Sequence, residues 1–263
     1  MNEKRFLAIV ALAFLGTQSS ALMLAPLLVD IADEFDTSVA MAGQVATATF
    51  VAWAISVVSV GPFSDYFGRR PVALIGLALL AVGAFGSALS PNLATLMVMR
   101  VATGFGGGMI PPNGMAAVAD VVPVERRAKV IGGLLAVTTA SQVIGLPMVA
   151  WVADLGGWRA PFVVMGSLLA LCTLLNWLWF PKAEIGMTKT FSFFSRYRSL
   201  LAKPVIRTIV TVNFVQRIAF MGLFSYLATY LIDDYDMSVG ATALPLAVVG
   251  IGTVVGSFVG GQV

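Results

Sequence analysis

Long apolar runs, separated by short clusters of charge, glycine and proline, recur along the whole chain. The hydrocarbon core of a bilayer is about 30 Å thick and takes roughly 20 residues of helix to cross. Eight runs meet that length: residues 6–29, 38–60, 71–89, 93–119, 130–153, 160–180, 205–232 and 239–263. They lack the period-two alternation of barrel strands, so each is read as a helix that satisfies its own backbone in lipid. The expected fold class is an all-α integral membrane protein with about eight transmembrane helices. The first run follows Lys4 and Arg5 as a signal peptide would, but it is far longer than a signal's 7–15 apolar residues and further spans follow, so it is read as retained.

Charge between the runs orients them. With the N-terminus inside, the inner set is Lys4, Arg5, Arg69, Arg70, Arg126, Arg127, Lys129, Lys182, Lys189, Arg196, Arg198, Lys203 and Arg207. Only Arg159 falls outside, while Arg100 and Arg217 fall within spans. The expected location is the plasma (inner) membrane, multi-pass, with a cytoplasmic N-terminus.

Composition sharpens the class. The chain is 59% hydrophobic and 11% charged with mean hydropathy +0.92, where a soluble domain carries about 25% charged residues. The absence of histidine removes the commonest metal ligand and proton shuttle, and the single cysteine, Cys172, excludes an intrachain disulfide. Neither a metal site nor a cofactor is expected. The net charge of +3 comes with no aromatic-interleaved basic face, so nucleic acid is not an expected partner.

The longest connection, Pro181 to Pro204, divides the chain into residues 1–180, a linker 181–204, and 205–263. The linker carries five basic residues together with Phe191, Phe193, Phe194 and Tyr197. Two readings stay open: a segment lying along the inner membrane surface, and an ordinary cytoplasmic linker. Across this division the sequence repeats at an offset of 200. Asp33-Glu-Phe-Asp-Thr-Ser-Val-Ala40 aligns with Asp233-Asp-Tyr-Asp-Met-Ser-Val-Gly240, four of the eight positions being identical, and Gly61 falls on Gly261. Parallel halves of this kind are a transporter architecture. On this reading residues 1–180 form a six-helix bundle and 205–263 begin a second one, so the chain is expected to be C-terminally truncated.

Charge gathers most densely at Gly61-Pro-Phe-Ser-Asp65-Tyr-Phe-Gly68-Arg69-Arg70. Here Pro62 is expected to help end a helix, and Gly61 to let backbones approach. Asp65 with Arg69 and Arg70 can form an ion-pair cluster that holds one conformation and breaks in another. The Gly61-x-x-x-Asp65-x-x-Gly68-Arg69-Arg70 pattern, between the second and third spans, resembles the signature loop of the major facilitator superfamily. Arg100-x-x-Thr-Gly104-x-Gly106 resembles that family's buried-arginine motif, with Thr103 where glutamine is usual. Gly145-Leu-Pro147 and Gly157-Trp158-Arg159-x-x-Phe162 resemble motifs of its proton-coupled drug and sugar exporters. The resemblance implies a gate latch at Asp65–Arg70 for the outward-facing state. Tyr66 departs from the basic residue common there, which puts one arm of the usual charge network in doubt.

Buried arginines cost at least ~2.5 kcal/mol on insertion scales, so Arg100 and Arg217, the latter beside Gln216 and near Asn213, are candidates for substrate or coupling roles. No Asp or Glu sits at mid-span, which leaves Asp30, at the outer end of the first span, as the proton-coupling candidate in view. Asp30 reads equally as a solvated residue alongside Asp33, Glu34 and Asp36. Gly104 and Gly108 are spaced for close helix packing, while Pro111, Pro112 and Pro147 are expected to bend or open their spans. Gly104-Phe-Gly106-Gly107-Gly108 lies within a span and follows no strand, which argues against a nucleotide loop.

The function these residues point to is a secondary transporter of small organic molecules, coupled to protons and working by alternating access. An organic-anion carrier using Arg100 and Arg217 is the alternative, and a membrane receptor or sensor a remoter one. An enzyme is not expected, because neither histidine nor a paired-carboxylate constellation is present.

Overall fold

The computed structural model describes residues 3–181 and 194–216, together with Ile218, Tyr235, Val248 and Gly252. It separates into two compact units, Met1–Phe191 and Ser192–Val263. The first unit contains α1 (Glu3–Leu22), a 3-10 turn (Ala25–Leu27), α2 (Leu28–Glu34), α3 (Val39–Phe67), α4 (Arg69–Ala88), α5 (Leu93–Val121), α6 (Val124–Gly156) and α7 (Ala160–Trp179). Of the second unit, α8 (Phe194–Leu201) and a helix over 204–216 are described.

Among the described residues, five stretches are long and apolar enough to cross a membrane: Glu3–Glu34, α3, α4, α5 and α7. The 33-residue α6 covers the fifth predicted span. Predicted spans 205–232 and 239–263 fall largely outside the described residues, as do residues 233–240 apart from Tyr235, and Gly261.

Helix boundaries follow local chemistry. Ser38 caps α3 by accepting from the Met41 amide at 3.2 Å, and Asn92 caps α5 by accepting from the Thr95 amide at 2.9 Å. Pro161 occupies the first turn of α7, where its missing N–H is harmless. Gly157 ends α6 at φ 74°, a conformation that suits glycine, with its amide on the Ala153 carbonyl at 2.7 Å.

Two expected boundaries are corrected. The first predicted span is not one helix: α1 stops at Leu22 and a 3-10 turn carrying Pro26 precedes α2. Pro26 cannot donate to the helix ladder, so the turn breaks there. The second span does not end at Gly61-Pro62, because α3 runs on through both to Phe67. One missing N–H does not stop a helix whose following turn is otherwise bonded. The break comes at Gly68, at φ 92°, whose amide is bonded to the Ser64 carbonyl at 3.1 Å. Likewise α5 is helical through Pro111-Pro112 and α6 through Pro147.

α5 packs most extensively against α3 and α4. Its glycines make that possible: a Cβ on Gly104 would strike the Thr49 carbonyl of α3, and one on Gly108 would lie 2.6 Å from the Trp53 carbonyl. Small residues at this spacing let backbones approach in a bilayer, where packing rather than water drives association. Phe6, Phe14, Leu77, Leu80, Leu96, Phe162 and Leu169 fill the interior, while Val82, Val98, Trp151 and Leu171 face outward.

Ion pairs tie helix ends at both ends of the bundle. Glu3 at the start of α1 pairs with Arg126 at the start of α6 at 3.0 Å. At the other end of the bundle, Glu34 at the close of α2 pairs with Arg159 at the start of α7 at 2.8 Å. The Glu3 end carries Lys4, Arg5, Arg69, Arg70, Arg126, Arg127 and Lys129, and the Glu34 end carries Arg159.

Candidate functional site

The α3–α4 junction brings most of the predicted latch residues together. Asp65 in the last turn of α3 and Arg69 at the start of α4 lie on either side of the Gly68 break, and Arg69 Nη1 lies 2.6 Å from Asp65 Oδ1. Arg69 Nε reaches Asp120 Oδ2, near the end of α5, at 2.9 Å. The Arg69 side chain is 10% exposed, against 22% for Asp65 and 29% for Asp120, so a nearly buried cation sits between two partly shielded acids. Arg69 Nη1 also donates to Ser64 Oγ at 2.6 Å, Ser64 Oγ donates to Asn113 Oδ1 at 2.6 Å, and Asn113 Nδ2 returns to the Arg69 carbonyl at 2.9 Å. The cluster therefore clasps α3, α4 and α5. A group of paired charges at one helix end is suited to switching: all three helices are tied in one arrangement, and separating α3 from α5 breaks the Ser64–Asn113 bond and leaves Arg69 able to keep only one of its two acids.

Arg70 takes a different direction. Its Nη2 donates to the Trp177 carbonyl in the last turn of α7 at 2.6 Å, a cation at a helix C-terminus where the dipole favours it. Tyr66 is exposed and meets Phe67 edge-on at 4.9 Å between ring centres. Gly61 lies within α3 and is half-buried. Asp120, an acid near a span end, and Ser64 and Asn113 were not among the latch residues expected from the sequence; a polar pair facing α4 inside apolar spans was the signal available.

Arg100, the eighth of the 29 residues of α5, is fully buried. Its Nη2 donates to the Ser20 carbonyl at 3.0 Å, and its guanidinium carbon lies 5.9 Å from the centre of the Phe162 ring. Ser20 is in the last turn of α1, where the ladder ends before Pro26, so the partner is a carbonyl left over at a helix C-terminus. Backbone carbonyls are usual partners for intramembrane arginines. Nε and Nη1 of Arg100, and Ser20 Oγ, are buried without hydrogen-bond partners. Asp30 is exposed in the first turn of α2, and among the described residues no ion pair joins it to Arg100.

The other predicted residues fall as follows. Gly145, in α6, faces α1, where a Cβ would lie 3.4 Å from Ser19 Oγ, and Pro147 is exposed. Asn213 donates to the Ile209 carbonyl of its own helix at 2.9 Å, and Gln216 ends the described part of that helix. Arg217 lies outside the described residues. Between α3 and α5 runs a mostly apolar groove of about 380 Å³, lined by Gln44, Thr47, Val51, Ile55, Val101 and Phe105 among others. Among the described residues, no cluster of three or more His, Cys, Asp or Glu is placed to hold a metal ion.

Known proteins share this architecture. An uncharacterised MFS-type transporter of Bacillus subtilis, YceJ, is 29% identical over 92% of this chain and 62% of its own length. A probable sugar efflux transporter of Helicobacter pylori is 26% identical over 90% of this chain and 60% of its own. The chain thus spans about three fifths of the length of these curated relatives. The proton:xylose symporter XylE, solved with 6-bromo-6-deoxy-D-glucose, superposes with a TM-score of 0.61 at 17% identity, over 66% of this chain and 44% of that one, a likeness of fold. Residues 7–263 match the family model described as Major Facilitator Superfamily. An all-α, multi-pass membrane protein with this match along nearly all of its sequence belongs to the Major Facilitator Superfamily.

Proposed function

We propose that the chain acts in proton-coupled export of small organic molecules by alternating access, with the Asp65–Arg69–Asp120 cluster as the conformational latch. The observation that carries this reading is the clasp of three helices by one nearly buried guanidinium between two carboxylates. Such a cluster favours the conformation that assembles it and opposes the one that separates α3 from α5. The concentration of basic residues at that end supports a cytoplasmic placement in the plasma membrane, with the N-terminus inside. The Helicobacter sugar efflux relative and the xylose symporter XylE make sugars the first substrate class to try. Asp30 is the titratable group assigned to proton coupling.

The test is flux in proteoliposomes loaded with a labelled pentose, a hexose or a lipophilic cationic dye, with a pH gradient imposed in either sense. Gradient-driven flux that collapses with a protonophore and is lost in Asp30→Asn supports the reading. Flux indifferent to the gradient removes proton coupling, and unaltered coupling in Asp30→Asn removes that residue from the role.

A second reading, an organic-anion carrier, is favoured by Arg100, which holds two unpartnered N–H-bearing nitrogens in the bundle interior and is paired with no described carboxylate. Arg217 enters this reading from the sequence alone. Saturable competition by a small carboxylate, but not by its amide, distinguishes it from neutral-sugar export.

A further inference from the structure

We infer that α8 is an interfacial helix that lies on an anionic phospholipid surface, its apolar arc toward the acyl chains and its cations at the headgroups. The helix is eight residues long, Phe194-Ser-Arg-Tyr-Arg-Ser-Leu-Leu201. Isolated helices shorter than about 12–15 residues are marginal in water, so α8 calls for a surface to lie on. At about 100° per residue, the register positions of Leu200, Tyr197, Leu201 and Phe194 fill one arc of about 120°. Arg196 and Arg198 stand about 40° beyond its two borders, and Ser195 and Ser199 occupy the opposite side. Leu200 and Leu201 are 40% and 49% exposed, although they belong to that arc.

The position of the arginines chooses the occupant. In a solvated linker helix, cations have no reason to border an apolar arc on both sides. At a bilayer surface they do, because aliphatic stems run along the interface while the guanidinium groups reach the phosphates. From Gly186 to Arg207 the chain carries Lys189, Arg196, Arg198, Lys203 and Arg207 and no carboxylate, a run complementary to anionic headgroups. The chain can also turn at its exit. The Ala202 amide donates to Arg198 and the Lys203 amide to Leu200, each at 3.0 Å, closing the last turn, and Pro204 opens the next helix. That break frees the axis of α8 from that of the helix that follows. The inference holds for either direction of transport and for any substrate.

The experiment places a nitroxide in turn at residues 195, 197, 199, 200 and 201 of the whole chain, in a Cys172→Ala background whose helicity is first checked by circular dichroism. Nanodiscs contain either phosphatidylcholine alone or a mixture with phosphatidylglycerol, and collision with oxygen is compared with collision with a water-soluble nickel chelate. The expected result is preference for oxygen at 197, 200 and 201 and for nickel at 195 and 199. The oxygen preference should be stronger with phosphatidylglycerol, and the surface-bound population should fall roughly fivefold for each cation replaced among Arg196→Gln, Arg198→Gln and Lys203→Gln. Equal nickel access at all five positions would show a solvated linker, and low access to both reagents a helix packed against protein. Either result, or the same profile in both lipids, overturns the proposal.

Discussion

The Nε of Arg69 lies 2.9 Å from Oδ2 of Asp120, a residue 51 positions further along the chain. The same guanidinium is held by Asp65 on the other side, so neither acid is the sole counter-charge. Replacing one acid leaves Arg69 paired, whereas replacing both leaves a nearly buried cation without a carboxylate. We expect Asp65→Asn and Asp120→Asn each to lower stability by about 1 kcal/mol, since all three groups keep some solvent, and the double variant to lose more than the sum. Thermal unfolding of the four proteins of that cycle in one detergent measures the coupling. Strict additivity would separate the two pairs and remove the shared-cation account. As a latch, the cluster also predicts that Asp65→Asn shifts the inward/outward balance and the transport kinetics; unchanged values would reduce it to a structural brace.

The pairing shows where the sequence was legible. Asp65 and Arg69 are four residues apart across the Gly68 break, near enough along the chain for the charged stretch itself to suggest their contact. Asp120 was not among the residues expected at the latch, because its role comes from the packing of α4 on α5. The helix ends illustrate the same limit. Pro62 looked like a terminator, but the chain breaks at Gly68, which takes φ 92°. Pro26 did break its helix, though the apolar run hid it, and that break supplies the carbonyl on which Arg100 rests. The apolar runs gave the order of helices α1 to α7, and they are blind to such polar partnerships between helices.

Arg100 yields a prediction that separates charge from shape. Among the described residues its guanidinium donates one hydrogen bond, to the Ser20 carbonyl, and two of its nitrogens are unpartnered in a fully buried position. Arg100→Lys keeps the charge but loses the planar fork, so binding of a carboxylate substrate should weaken about tenfold or more while a neutral sugar is little affected. Isothermal titration with a matched acid and amide provides the comparison. Equal losses for both ligands, or none, would confine Arg100 to holding α5 against α1.

Glycine substitutions test the close approach of α5 to its neighbours. A Cβ on Gly104 would overlap the Thr49 carbonyl, which belongs to a helix backbone and cannot swing aside. Gly104→Ala and Gly108→Ala are therefore expected to cost about 1–3 kcal/mol each. At Gly68 the penalty is of a different kind: φ 92° strains any side chain, and Gly68→Ala should lose about 1 kcal/mol or more. Gly132 and Gly133 in α6 have nothing within 4 Å of where a Cβ would be, so alanine there should be neutral or slightly stabilising. A melting series that ranked Gly132→Ala with Gly104→Ala would contradict this packing.

At the other end of the bundle, Glu34 and Arg159 are 44% and 39% exposed in their side chains, and their 2.8 Å pair is open to solvent and salt. Such pairs contribute about 0–1 kcal/mol. Arg159 does more than pair: it lies 4.3 Å over the Trp158 ring and donates to the Ser90 carbonyl at 3.4 Å, tying the start of α7 to the end of α4. Glu34→Gln should therefore lower the melting temperature slightly, and the deficit should vanish as salt is raised beyond the point where the Debye length drops to about 3 Å. Arg159→Gln should keep a deficit at high salt, because the loss of ring contact and carbonyl bond is weakly screened. Arg159→Lys, retaining charge but not the flat stacking surface, should fall between them. If both charge-removing variants converge on the parent at high salt, the ion pair is the whole of the interaction and the stack on Trp158 contributes nothing.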